Sequence, residues 1–250
     1  IKNPLNTGPN WKCGQETAVR IFHILTATYL LEQHKEPSES LTRFVFEHCE
    51  RIYPNIRFAI AQDNNHGISE AAALYIAGNW FLKLNLLKKK SSVKKAKLWR
   101  DKGQYWIENR LDYLIMEDGT FSQYSMIYHR VLIDIISFLL LWKNILSISP
   151  FPKDINHKIK KALSWIIGFT DIKTGNVPNI GANDGSMIIA LHSCNYRNFK
   201  PSNQLLSVLL NSKRLYEYGD WDEPLWWLRL DPKERIHSIK KNSNKYFAQG

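Results

Sequence analysis

Two neighbouring polar residues, Asn65 and His66, stand where an apolar helix is expected to begin. The stretch "QDNNHGISEAAALYIAG" (62–78) places polar or flexible residues directly before a run of small apolar ones. A helix start presents unpaired N–H groups and a partial positive charge, and an Asn amide adds two donors. Such neutral donors hold a carboxylate and make the adjacent C–H easier to deprotonate. The simpler interpretation is that Asp63 or Asn64 caps the helix and His66 lies on the surface.

A tyrosine stands at a second expected helix start, in "SMIYHR" (125–130). Ser125 fits the N-cap position, which puts Tyr128 and His129 in the first turn. A Tyr hydroxyl ionises near pH ~10, and nearby helix N-termini or cations make its phenolate more accessible. It could then remove a proton and return one to a leaving oxygen. The alternative is a tyrosine that merely packs at the start of its helix.

A charged pair near the beginning of the chain has two interpretations. Glu16 and Arg20 are four residues apart and therefore share one face of a helix. They form an intrahelical ion pair, or Arg20 points into a groove and binds an acidic substrate.

Carboxylates in the polar turns leave hydrolysis open as an alternative chemistry. A glycoside hydrolase needs two carboxylates at a defined separation across one sugar bond. Asp63, Glu70, Asp118 and Asp184 all lie in or near polar turns. The sequence has no G-x-S-x-G motif for a serine nucleophile.

The elements that must position these residues are helical almost throughout, because apolar residues recur with a helical period. Pro54 is expected to stop the second helix. The sequence predicts six long helices over 14–34, 37–54, 67–87, 92–115, 126–146 and 153–170, and two shorter ones over 201–213 and 222–230. Short extended segments are indicated only at 185–193 and at the C-terminal "KYFAQG".

The polar clusters precede alternate helices. They are "NWKCGQE", "QDNNHG" and "DGTFSQYS", and the long turn 174–186 follows the sixth helix. In an up-and-down series of helical hairpins, alternate N-termini lie at the same end. We therefore expect the clusters to converge on one face.

The composition narrows the class of protein. The chain has 250 residues, 44% of them apolar, and a net charge of +11, which suggests an acidic partner. No nucleic-acid motif or P-loop is present, and Cys13, Cys49 and Cys194 lack metal-ligand spacing. The longest apolar run contains Asp134 and predicts a buried helix rather than a membrane span. Since the chain begins with Ile1 rather than Met, we expect the native N-terminus to lie upstream, and the compartment stays open.

Taken together, the motifs resemble the helical domain of the heparinase II/III-like polysaccharide lyases. The similar segments, in family order, are 10–20, 64–78, 117–134, 178–186, 196–210 and 221–228. The resemblance implies an all-α fold, an incomplete (α/α) toroid over 1–240 whose N-terminal part is missing. It also implies that 241–250 begin a β-sandwich. The interval between Asn65 and Tyr128 is longer than in the family, and "KKKSSVKKAK" (88–97) is the expected insertion.

The resemblance also implies a chemistry, namely β-elimination at a uronic acid. Asn65 and His66 match the pair that neutralises the substrate carboxylate, and Tyr128 matches the general base and acid; Tyr124 lies outside the Tyr-His motif. The expected partner is an acidic polysaccharide, with no metal, cofactor or nucleic acid. A further His that many relatives supply from the β-sandwich is not contained in the chain. The candidate substrate-binding residues are Glu16, Arg20, Asn64, Gln123, His129, Asn183 and Asp184.

Two alternatives share the same scaffold: a non-catalytic polysaccharide-binding or assembly protein, and an α/α-toroid glycoside hydrolase. The family is commonly periplasmic or secreted, whereas the sequence itself leaves the compartment and the oligomeric state open.

Overall fold

The computed structural model describes residues 4–232 and 234–235, and this part of the chain is mostly helical. The predicted all-α class is confirmed. The α-helices are α1 (Gly14–Leu30), α2 (Glu39–Ile52), α3 (Ile56–Ile60), α4 (Asn65–Lys83), α5 (Lys90–Leu114), α6 (Met126–Ile145), α7 (Lys153–Phe169), α8 (Lys200–Asn211) and α9 (Glu223–Trp227). Two short strands, β1 (Lys213–Arg214) and β2 (Glu234–Arg235), pair in parallel with Lys213 opposite Glu234.

The predicted long helices are present, with differences at their ends. α1 ends at Leu30 rather than at residue 34, since Glu32 adopts a left-handed conformation with φ of 60°. The expected extended segment at 185–193 forms no strand. The C-terminal "KYFAQG" and the expected β-sandwich start at 241–250 lie outside the described residues. The toroidal arrangement stays a prediction.

The chain divides into two units, and the first contains residues 4–110 with 142–150. Its centre is α4, which packs against α1, α2 and α3 and is buried around its whole circumference from Gly67 to Phe81. Glycines bring the backbones of α4 and α5 together. A Cβ on Gly78 would lie 2.6 Å from the Arg100 nitrogen, and one on Gly103 would lie 2.5 Å from the Tyr75 nitrogen.

Of the described residues, the second unit contains 111–141, 151–232 and 234–235. Gln204 on α8 holds the segment 215–222 in place. The Gln204 side chain accepts hydrogen bonds from the backbone N–H groups of Leu215 and Tyr216 and donates one to Asp222. Asp222 also pairs with Arg214, so buried polar groups satisfy one another here.

Within residues 4–232 and 234–235, no helix is both long and apolar enough to cross a membrane.

Candidate functional site

The start of α4 is capped by Asn64. Its side-chain oxygen accepts a 2.9 Å hydrogen bond from the His66 N–H. Asp63 does not serve as the cap; it pairs with Arg110 on α5 at 2.6 Å and adopts a left-handed φ of 48°. The helix therefore begins two residues earlier than expected, and Asn65 and His66 occupy its first turn.

These first-turn residues differ in exposure. Asn65 is only 4% exposed, and its carbonyl accepts a 2.9 Å hydrogen bond from the Ser69 hydroxyl. His66 is half-buried, and this burial lowers the pKa of its imidazole. A lowered pKa favours the neutral ring at pH 7. Both side chains are thus neutral at pH 7, and carboxylate binding by this pair stays a prediction.

The N-terminus of α1 packs against the first turns of α4. Ser69 donates a hydrogen bond to the Gln15 side chain, and a Cβ on Gly14 would lie 2.3 Å from Glu70 Oε1. Glu70 is 4% exposed, and burial raises the pKa of its carboxyl group to about 7, against the opposing effect of Arg51. The sequence pointed to Glu70 only as a possible hydrolase carboxylate. Nothing in the sequence around Glu70 predicts its close contact with Gly14, which lies 56 positions earlier.

Arg20 is held by groups of its own unit. Its guanidinium donates to Asn10 O at 2.6 Å, to Thr17 Oγ1 at 3.1 Å and to His48 Nε2 at 3.2 Å. These contacts tie α1 to α2 and to the turn before α1. Glu16 is exposed. Substrate binding by Glu16 and Arg20 stays a prediction.

In the second unit, a loop is fastened onto the start of α6. Ser125 accepts a 3.2 Å hydrogen bond from the Tyr128 N–H, which confirms it as the cap, and its hydroxyl donates to Ala182 O at 2.5 Å. The Met126 N–H donates to Ile180 O at 3.1 Å. A Cβ on Gly181 would lie 2.2 Å from Tyr124 O. The loop 178–186 therefore runs directly over the first turn of α6.

This loop brings Asp184 to Tyr128. The Tyr128 hydroxyl donates a 2.9 Å hydrogen bond to Asp184 Oδ2, and the Ser186 N–H donates to Asp184 Oδ1 at 2.9 Å. Asn183 shapes the same turn by accepting from the Gly185 N–H at 3.1 Å. The hydrogen bond to Asp184 raises the pKa of Tyr128.

Arg130 on α6 contacts both ends of the segment 186–199. It is buried, donates to the carbonyls of Ser186 and Tyr196, and stacks on Phe199 with 4.5 Å between the guanidinium carbon and the ring centroid. Asp134, one turn further along α6, accepts from the N–H groups of Ile188 and Ile189. The sequence pointed to Asp134 only as a charge within an apolar run.

His129 lies in the interior. It is 1% exposed, its Nε2 lies 2.9 Å from Ala162 O, and its ring stacks on Trp165 at 4.8 Å. Burial lowers the pKa of this imidazole to about 4, so the ring is neutral. A side chain enclosed in this way holds α6 against α7. Substrate binding by His129 stays a prediction. Gln123, by contrast, is half-buried in the turn before α6, and Tyr124 beside it is exposed.

The structure thus brings together two groups of candidate residues. Asn64, Asn65 and His66 share the start of α4, and Tyr128, Asn183 and Asp184 share the start of α6 and its loop. That the two groups face one cleft stays a prediction. Among residues 4–232, no cluster of three or more His, Cys, Asp or Glu side chains is arranged to hold a metal ion.

The family model described as Heparinase II/III N-terminus matches residues 13–204, a span that contains both groups of candidate residues. No curated protein and no solved structure matches the chain.

Proposed function

Because this chain belongs to the heparinase II/III-like family, we propose that it is a polysaccharide lyase that cleaves a uronate-containing glycan by β-elimination. The proposal depends on one observation: the residues matched by the family model include the capped starts of α4 and α6, and these carry the two kinds of group that β-elimination requires. One offers neutral hydrogen-bond donors, and the other offers a half-exposed tyrosine.

The start of α4 would hold the substrate carboxylate. The Asn65 amide donates hydrogen bonds to this carboxylate, and the neutral His66 ring adds a polar contact without adding charge. Donors of this kind stabilise the negative charge that develops on the carboxylate when the neighbouring carbon loses its proton. Asn65 therefore acts on the transition state more than on the ground state.

Tyr128 would move the proton. Its phenolate oxygen removes the hydrogen at C5, the electron pair of that C–H bond forms the C4–C5 double bond, and the bond between C4 and the glycosidic oxygen breaks. The Tyr128 hydroxyl then returns the proton to the departing oxygen. The products are one chain with an unsaturated uronate at its end and one chain with a free hydroxyl.

The product tests this proposal. The protein is incubated with acidic glycans that contain galacturonate, mannuronate or glucuronate, and we expect an ultraviolet-absorbing unsaturated sugar from at least one. Tyr128→Phe and Asn65→Ala should each abolish that product. Cleavage that yields only saturated sugars would contradict the lyase proposal and indicate a hydrolase.

The Tyr128–Asp184 hydrogen bond favours one second candidate, a non-catalytic polysaccharide-binding protein. The bond stabilises the neutral phenol, which binds sugar hydroxyls but removes no proton. Saturable binding of an acidic glycan with no cleavage at any pH would support this alternative.

A further inference from the structure

A separate cleft opens on the surface of the first unit. Its volume is about 230 Å³. None of its lining residues takes part in the proposed elimination. They are Tyr53, Pro54, Ile56, Arg57, Lys102 and Trp106.

Two walls of this cleft carry the same pair of chemical groups. Tyr53 and Arg57 are four residues apart in a right-handed helical stretch that runs into α3, and Lys102 and Trp106 are four apart on α5. Side chains at this spacing lie on one face of a helix. Each wall therefore presents one aromatic ring and one cation, and Ile56, which is buried, closes the base.

The two cations of the cleft have no carboxylate partner among the described residues. Arg57 and Lys102 are exposed, and in the part of the chain that the structure describes no carboxylate lies within ion-pair distance of either. By contrast, Arg100, which lies half a helical turn from Lys102 on α5, is paired with Asp101 at 2.7 Å. Lys102 Nζ lies 5.7 Å from the centroid of the exposed Tyr105 ring. The charge in the cleft thus differs from an ordinary solvated charge run, because it faces a concave surface and has no carboxylate partner among the described residues.

We propose that this cleft binds one uronate unit of an acidic polysaccharide at a position separate from the cleavage site. Arg57 and Lys102 hold the carboxylate, and the rings of Tyr53 and Trp106 pack against the C–H faces of the sugar. The choice of an acidic glycan rests on the proposed lyase function, whereas binding at the cleft does not require turnover.

A second binding point gives long chains an advantage over short ones. A polysaccharide held at the cleft is present at a high effective concentration for any other site on the same protein. Loss of the cleft should weaken the binding of long substrates and leave turnover of short ones unchanged.

Titration calorimetry tests the cleft directly. The probes are hexasaccharides of galacturonate, of mannuronate, and of alternating glucuronate and N-acetylglucosamine, each beside its carboxyl-reduced neutral form. The protein carries Asn65→Ala, which removes the proposed carboxylate site at α4. We expect at least one acidic hexasaccharide to bind, its neutral form to bind at least tenfold more weakly, and Arg57→Ala/Lys102→Ala to lower the affinity at least tenfold.

Lys88→Ala/Lys89→Ala is the matched control, because it removes the same charge from exposed positions outside the cleft. It should keep the affinity within a factor of two. Failure of all three acidic hexasaccharides to bind, or an equal loss in the control, would overturn the proposal. If the cleft binds the glycan but the protein forms no unsaturated product, only the proposed lyase mechanism is wrong. If the protein forms unsaturated product but binding does not depend on the cleft, only the proposed cleft site is wrong.

Discussion

The Tyr128 hydroxyl is hydrogen-bonded to Asp184, 2.9 Å from its Oδ2. The bond raises the pKa of Tyr128, while hydrogen bonds from Ser186 hold the pKa of Asp184 below its usual range. Asp184 thus stays ionised and keeps the phenol protonated. In the proposed elimination, Asp184 sets the pH at which Tyr128 becomes a base, and it orients the hydroxyl as a positioning residue.

Asp184→Asn should shift the pH dependence of the reaction. Without the carboxylate the phenolate is less disfavoured, so the pKa of Tyr128 falls. We expect the rise of kcat/KM with pH to occur at lower pH than in the parent protein, with kcat changed more than KM. The check is a pH–rate profile, supported by the phenolate absorbance that disappears in Tyr128→Phe. A profile unchanged by Asp184→Asn would show that Asp184 does not act on Tyr128.

Asn64→Ala should destabilise the protein through the start of α4. The variant loses the hydrogen bond from the His66 N–H to the cap, which costs about 1 kcal/mol. Because Asn65 follows directly, KM for the acidic glycan should also rise. Asn64→Asp keeps a capping oxygen and should retain stability in urea unfolding. If Asn64→Ala is as stable as the parent, the cap contributes nothing.

Glu70→Gln should flatten the pH dependence of stability. The pKa of Glu70 lies near 7 in the folded protein, against 4.5 for an ordinary Glu, so the folded state binds more protons between these values. Stability linked to Glu70 is therefore fully present below pH 4.5 and is lost as the pH rises through 7. At 1.36 kcal/mol per pKa unit, the loss is on the order of 3 kcal/mol.

Urea unfolding at pH 5, 6 and 7 measures this effect. The parent should lose stability over that range, and Glu70→Gln should lose clearly less. Glu36→Gln is the control, because Glu36 is exposed and its replacement removes the same charge. Parallel slopes for the parent and Glu70→Gln would contradict the assignment.

Local patterns predicted the helices but not the contacts that build the candidate site. Apolar periodicity placed the start of α6 correctly and that of α4 two residues too late. Ser125 and Asn64 were recognisable as candidate caps, because caps act on their own first turn. The Tyr128–Asp184 hydrogen bond joins residues 56 positions apart. The burial of His129 depends on Trp165 of another helix. No feature near either residue in the sequence encodes such tertiary contacts.

The short α3 helix shows the same limit at the level of secondary structure. Pro54 predicts a stop, and α2 does end at Ile52. The chain then turns through Tyr53–Asn55 and resumes as Ile56–Ile60, which packs on α4 with Ile56 and Ala59 buried. Tertiary packing stabilises a helix too short to form alone.

Gly181→Ala should separate the role of the loop from general backbone strain. Gly181 and Gly185 have nearly equal φ values of 73° and 74°, so an alanine at either position incurs the same left-handed strain of about 1 kcal/mol. Only at Gly181 would the added Cβ also meet backbone, 2.2 Å from Tyr124 O, whereas nothing lies within 4 Å at Gly185. Gly181→Ala must therefore push the loop away from the start of α6.

The displaced loop carries Asp184 with it. We expect Gly181→Ala to be less stable than Gly185→Ala in urea unfolding and to shift the pH–rate profile in the direction of Asp184→Asn, because both changes release the Tyr128 hydroxyl. Gly185→Ala, which strains the backbone without a clash, should keep the parent profile. Equal effects of the two alanine variants would mean that the close approach of Gly181 to Tyr124 does not hold Asp184 in place.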